Sequence, residues 1–429
     1  MTTVSLRSDA SRSDSPHGSP APIRRRDRSP GGLGRDWHVL FTASAVSVLG
    51  DGAFVAALPL LAAGYTRDPR LISGLTVTGT LPWLVFSLQA GAIADRSETR
   101  RLSIRAQGWQ LLCVLAVGLL AMDRGAGWGL AALYVLAFAL GMAAALAKSA
   151  SQPLLTSVVP RERLISANGQ LYTAQSVAKD FVGPALGAAL FALTPTLPFW
   201  ADAVTFAVSM VLIARLPRTG APRVVQSGAA AGAGRRSLRA DVKEGLTWLA
   251  HHRLLRTTTM LSAAANFGST MGAATLVLYV GTHRYGVLLS IAAIGGIVGG
   301  LTSRAVVARL GGRVVVRLCS SVTPLAGIGI GVFGPNLFVV GVLLGIGSLS
   351  ASLWNVAVVT QRQRLVPPHL LGRVSSAGIM VTWGAQPLGA LSGGLIAAWF
   401  GLAAPWVIGG VLRMIASVLA IRPLREWQD

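Results

Sequence analysis

Asp51 stands between two glycines in "VLGDGAFVAALPLL", inside an apolar run long enough to cross a bilayer. A carboxyl in that setting does one of two kinds of work. It binds and releases a proton as its surroundings change, because burial disfavours the ionised form, or it holds structure by bonding nearby backbone. Asp180 and Asp202 stand in similar runs and share both readings. Lys179 and Arg413 also fall inside apolar runs, and a buried cation needs a partner. Lys179 and Asp180 are chain neighbours that a helix turns about 100° apart, so they need not pair with each other.

Charge concentrates again in "GAIADRSETRR", residues 91–101, directly after some twenty mostly apolar residues. An aspartate at a membrane boundary accepts charge-assisted bonds from arginine, which makes Asp95 with Arg96 and Arg100 a candidate contact; the arginines also serve to fix topology. Other chemistry finds no support. The six histidines show no H-E-x-x-H spacing and no G-x-x-x-x-G-K-[ST] loop occurs. Cys113 and Cys319 lie in apolar runs and read as small core residues. No enzymatic activity, metal or cofactor is expected.

The elements that carry these residues follow from composition. The chain is 52% hydrophobic and 13% charged, with a mean hydropathy of +0.58, too apolar for a soluble fold. Its net charge of +22 would suit nucleic acid, but the charge sits in short segments between apolar runs, so the expected partner is the lipid bilayer and not nucleic acid. Twelve runs near 38–63, 71–94, 103–122, 126–147, 170–194, 197–216, 257–281, 286–308, 314–333, 336–358, 374–400 and 402–421 each have the length of a spanning helix. The predicted fold is all-α and integral to the membrane, with twelve transmembrane helices. Placing both termini in the cytoplasm puts 32 of the 38 Lys and Arg on that face.

The organisation reads as a basic tail at 1–36 without order of its own, a first helical half at 37–216, a loop at 217–256, a second half at 257–423 and a short end at 424–429. Within the loop, Leu238, Val242, Leu246 and Leu249 fall at helical spacing and predict an amphipathic helix along the cytoplasmic face. "SVVPRERLISANGQ" before the fifth run is echoed by "RLVPPHLLGRVSSA" before the eleventh, and "GPALGAAL" by "QPLGALSGG". Such repeats imply two pseudo-symmetric six-helix bundles that rock about a central cavity. Trp37, Trp128, Trp200, Trp406 and Trp427 lie near run ends and are expected at the membrane interfaces.

Gly91, Asp95, Arg96 and Arg100 resemble the loop between helices two and three of the major facilitator superfamily. "VLGDGAFVAALPLL", "VVPRERLISANG", "VGPALG", "FWADAVTF" and "RLVPPHLLGRV", in that order, resemble its branch of bacterial drug exporters, which includes macrolide-efflux and enterobactin-export proteins. The resemblance implies that the 91–101 loop clamps the halves together on the cytoplasmic side; Glu98 and Thr99 depart from the usual glycine and basic residue there. It also implies an exporter-like role for Gly183, Pro184 and Gly187 in helix five, through packing or through sealing the cavity. On the helices that the family turns inward, Asp51, Trp83, Asn266, Trp354, Asn355, Trp383 and Gln386 are candidates for the cavity wall. The function so implied is proton-coupled export of a small amphiphilic compound, an antibiotic, natural product or siderophore, by a monomer in the bacterial cytoplasmic membrane. Uptake of a nutrient and a non-transporting sensor or scaffold are the alternatives.

Overall fold

The computed structural model describes residues 33–123, 127–160, 163–217, 238–367 and 370–427. The expected basic tail, except for its last residues 33–36, and the loop segment 218–237 lie outside the described residues, as do the side chains of Asp95, Leu238 and Val242. Long apolar runs have no water with which to satisfy backbone N–H and C=O groups, and the helix satisfies both internally. The chain accordingly forms α1 (Arg35–Tyr65), α2 (Pro69–Val85), α3 (Ser87–Arg96), α4 (Thr99–Leu120), α5 (Gly129–Val158), α6 (Leu164–Ser176), a π turn (Val177–Val182), α7 (Gly183–Leu193) and α8 (Leu197–Ala214). After the loop come α9 (Leu238–His251), α10 (Arg253–Ala273), α11 (Leu276–Val280), α12 (Thr282–Leu310), α13 (Gly312–Val332), α14 (Leu337–Leu365), α15 (Leu371–Phe400) and α16 (Ala404–Ala420). No strand occurs among the described residues.

Eight helices, counting α6 through α7 as one, are long and apolar enough to cross a membrane. The other expected runs are helical too, but interrupted or diluted. The run 71–94 breaks at Phe86 between α2 and α3, and 257–281 breaks at Ala274–Thr275 before α11. In α15, Trp383, Gln386, Pro387 and several glycines lower the hydropathy, and α16 has 17 residues. The expected short link "GTHRYG" contracts to one residue outside helix: Gly281, at φ +82°, turns the chain directly from α11 into α12.

Helices before residue 217 pack mainly on one another, as do those after 252. Two seams join the sets, α2 against α15 and the π turn with α7 against α12. The core is distributed unequally between the ends of the molecule. At the end away from the termini, one cluster runs from Phe54, Leu60 and Leu75 through Leu276, Tyr285, Val340 and Trp406, crossing both sets. At the basic end there are separate clusters, one around Trp37, Leu154 and Ile213 and another around Val316, Leu353 and Trp427. Among the described residues, the buried core crosses both sets at the far end and stays within each set at the basic end.

Three of the expected interfacial tryptophans prove to be packing residues. Trp37, Trp406 and Trp427 are buried, whereas Trp128 is 64% and Trp200 37% exposed. Proximity to a helix end does not distinguish an anchor from a plug between neighbouring helices. The amphipathic helix forms as α9, but it docks: Leu249 packs with Leu255, Val366, Leu370 and Val374, and Glu244 pairs with Arg373 at 3.0 Å.

Candidate functional site: a helix crossing with three acids

Small residues draw three helices together at the middle of α1. A Cβ on Gly52 would lie 2.7 Å from the Lys179 carbonyl oxygen and 3.0 Å from the Cα of Gly183, and one on Gly187 would run into the Ala53 backbone. Only glycine permits this approach. Pro184 has no N–H to give to the carbonyl four residues back, that of Asp180, and the chain widens into the π turn just before it. That turn carries Lys179 and Asp180 to the crossing. Gly183, Pro184 and Gly187 thus form one packed joint between α1 and α7.

On the other side of α1, α8 supplies Asp202. Although it is the sixth residue of its helix, it is level with Gly50, near the middle of the long α1, and fully buried. A Cβ on Gly50 would collide with Asp202 Oδ1 and Thr205 Oγ1. Thr205 donates to Asp202 Oδ1 at 3.1 Å, and Asp202 Oδ2 has no hydrogen-bond partner. Asp51 lies within electrostatic reach of both Asp202 and Lys179. Lys179 in turn interacts with Asp180 and with Lys148 of α5. The three expected acids therefore gather around one crossing.

Below the crossing, toward the basic end, a groove of about 840 Å³ runs between α1 and α6. Phe41, Leu49 and Val182 give it apolar walls, and Gln170 and Thr173 give it polar points. Its upper residues Leu49, Ala178 and Val182 flank the Gly52–Gly183 contact. Size and lining suit a small, largely apolar molecule.

The other expected cavity residues divide. Trp83 and Trp383 meet edge to face at 6.5 Å across the α2–α15 seam. Asn355 donates to the Tyr172 hydroxyl at 3.2 Å, linking α14 to α6. Asn266 donates to the Thr382 carbonyl at 2.9 Å, and the Trp354 indole to Ser262 at 3.1 Å, so both are engaged in helix packing within the second set. Gln386 sits half-buried on α15. At the 91–101 loop, Arg96 is exposed and a Cβ on Gly91 would meet open space. Arg100 donates to the carbonyls of Ile213 and Ala214 at the end of α8, and Arg101 pairs with Glu98 at 2.6 Å. These described contacts stay within the first set.

Sequence reasoning missed Lys148, Tyr172 and the groove wall. Lys148 lies just past the expected end of the fourth run, and α5 continues through it. Phe41, Leu49 and Val182 carry no signal beyond helical packing.

The major facilitator superfamily model matches residues 40–385, most of the chain. The chain belongs to this family. It is 28% identical over 404 residues to an uncharacterised MFS-type transporter, y4rN, of Sinorhizobium fredii, with 89% of this chain and 93% of that one covered. It is also 28% identical over 399 residues to the multidrug efflux pump Tap of Mycolicibacterium fortuitum, covering 89% and 94%. Among solved structures, the nucleoside transporter NupG superposes with a TM-score of 0.66 at 12% identity, covering 92% of this chain and all of that one, a likeness of fold. As a member of the superfamily, this is a multi-pass membrane transporter of small molecules, not an enzyme. Major facilitators built this way expose a central cavity to one side at a time.

Proposed function

We propose that this transporter is a proton-coupled exporter of small amphiphilic compounds, with a proton gradient as its energy source and no cofactor. The observation that carries the reading is Asp51, held at a glycine crossing of α1 directly above the apolar groove. A carboxyl there gains and loses its proton as the cavity changes sides, and Leu49, two residues before it, is part of the groove wall. The likeness to a multidrug efflux pump supports the outward direction. The basic end faces the cytoplasm on this reading, with both termini inside the bacterial cytoplasmic membrane, because Lys and Arg accumulate there. The described state is then open inward, ready to take cargo from the cytoplasm or the inner leaflet, and the transporter acts as a monomer.

The test is cellular efflux in a pump-deficient bacterium expressing the chain, across dyes, macrolides, tetracyclines and siderophores, with Asp51→Asn at equal expression. Export is expected for at least one compound, lost both in Asp51→Asn and when the proton gradient is collapsed. Export that survives collapse of the gradient overturns coupling, and accumulation in place of export overturns direction.

A further inference from the structure

The crossing holds more carboxyl than one proton-carrying residue requires. Asp202 is completely buried, its Oδ1 is satisfied by Thr205, and its Oδ2 is left without a partner. An ionised carboxylate with a bare oxygen inside a membrane core is costly, and burial of this kind persists only with a proton or a counter-charge. The glycine at position 50 is what lets Asp202 approach α1 so closely, since any Cβ there would occupy the carboxyl's space. Asp51 follows on the next position of α1.

The charged groups around Asp202 can be named element by element. From α1 comes Asp51, and from the π turn Lys179, which acts on Asp51. Of the other helices packed on α8, α4 carries its arginines in its first two turns and one thiol, Cys113, within the span, and α7 carries no titratable group. Lys179 also faces Asp180 and Lys148. Three carboxyls thus stand against two ammonium groups. Lys148, Lys179 and Asp180 are exposed, whereas Asp51 is half-buried and Asp202 fully buried, so a proton kept at the crossing falls to Asp51 and Asp202.

We propose that Asp51 and Asp202 hold one proton between them across the Gly50 gap, so that the proton-carrying unit is the pair and not Asp51 alone. Two neighbouring carboxyls cannot both ionise cheaply, and their protons then leave in steps that belong to the pair. Asp202 is a positioning partner for the proton and need not touch cargo. That the shared proton drives transport rests on the function proposed above; the sharing itself does not.

The experiment reads the carbonyl stretch of protonated carboxyls by infrared difference spectroscopy, as a function of pH, on the purified full chain in lipid nanodiscs. Wild type, Asp51→Asn, Asp202→Asn and the double variant are compared. Each single variant is expected to keep one titrating band, with its midpoint moved by about one pH unit or more toward acid because the neighbouring charge is gone. The double variant is expected to lose the band. A midpoint in Asp51→Asn that matches the wild type overturns the proposal, and this holds even if Asp202→Asn fails to fold, because the pair is then read from the other side. Gradient-driven efflux measured on the same variants separates the two readings. Mutual shifts with export indifferent to the gradient uphold the pair and remove proton coupling; absent shifts with export lost in Asp51→Asn remove the pair and uphold coupling.

Discussion

The two halves of this transporter make the same crossing with opposite chemistry. Gly50 is the sixteenth residue of α1 counted from Arg35, and Gly268 the sixteenth of α10 counted from Arg253. Asp202 is the sixth residue of α8, and Gly409 the sixth of α16. In the first half the α8 residue is an acid that fills the space at Gly50. In the second it is a glycine, and the backbones close up: a Cβ on Gly268 would lie 2.7 Å from the Gly409 carbonyl oxygen. Arg413, one turn beyond Gly409, lays its stem over the same glycine. A carboxyl can take up and lose a proton; a guanidinium stays charged throughout. Under the proposed function, the difference assigns proton exchange to the first half and a tighter, proton-indifferent joint to the second.

The largest expected effect comes from removing exchange where the comparison places it. Asp51→Asn keeps the volume and removes one of the pair's two carboxyls, so efflux is expected to lose its dependence on the proton gradient, checked by cargo release from proteoliposomes with and without an imposed pH difference. Arg413→Lys, assayed in parallel, is expected to keep that dependence. If the arginine variant loses it and the asparagine variant does not, the assignment of the two halves is reversed.

Next in size is a pair of matched glycine substitutions. Gly268→Ala drives a methyl into the backbone of α16, which cannot rotate away, and is expected to cost about 1–3 kcal/mol of stability. Gly50→Ala meets only the side chains of Asp202 and Thr205, so its thermal penalty should be smaller, while its carboxyl band should titrate differently from wild type. Melting of the purified variants ranks the two. Equal penalties would show that the first-half joint is as tight as the second.

Much of this architecture was legible in the chain itself. Apolar runs marked where the long helices fall, though α5 and α14 run on seven to eleven residues past the expected ends, because a membrane core leaves the backbone only the helix, and Asp51, Asp180 and Asp202 stood out as charges where charge is expensive. Their convergence was not legible. Nothing in the string "FWADAVTF" says that α8 starts well short of the end of α1 and so sets Asp202 beside Gly50. Trp354 and Asn266 illustrate the converse: polar groups on inward-turned helices looked like cargo contacts, yet each is spent on a neighbouring helix. The groove wall left no trace because Phe41 and Leu49 are what packing also selects. Breaks at Phe86 and at Ala274–Thr275 went unseen since hydropathy is continuous across them.

Arg413 offers the smallest and subtlest test of the comparison. Its stem is packed on Gly268, and it takes part in none of the ion pairs among the described residues. A cation held in a helix core without an acid costs stability. Methionine matches its unbranched stem without the charge, so Arg413→Met should preserve the packing and remove that cost. The expected outcome is a melting temperature a few degrees higher, roughly what about 1 kcal/mol produces in a chain of this size, with gradient-driven efflux intact. A lower melting temperature with transport intact would mean that the charge supports the joint itself. Loss of transport at unchanged stability would mean that the guanidinium finds its partner only during the cycle, on a cargo anion or on the far-open state, and the second half would then be more than a passive joint.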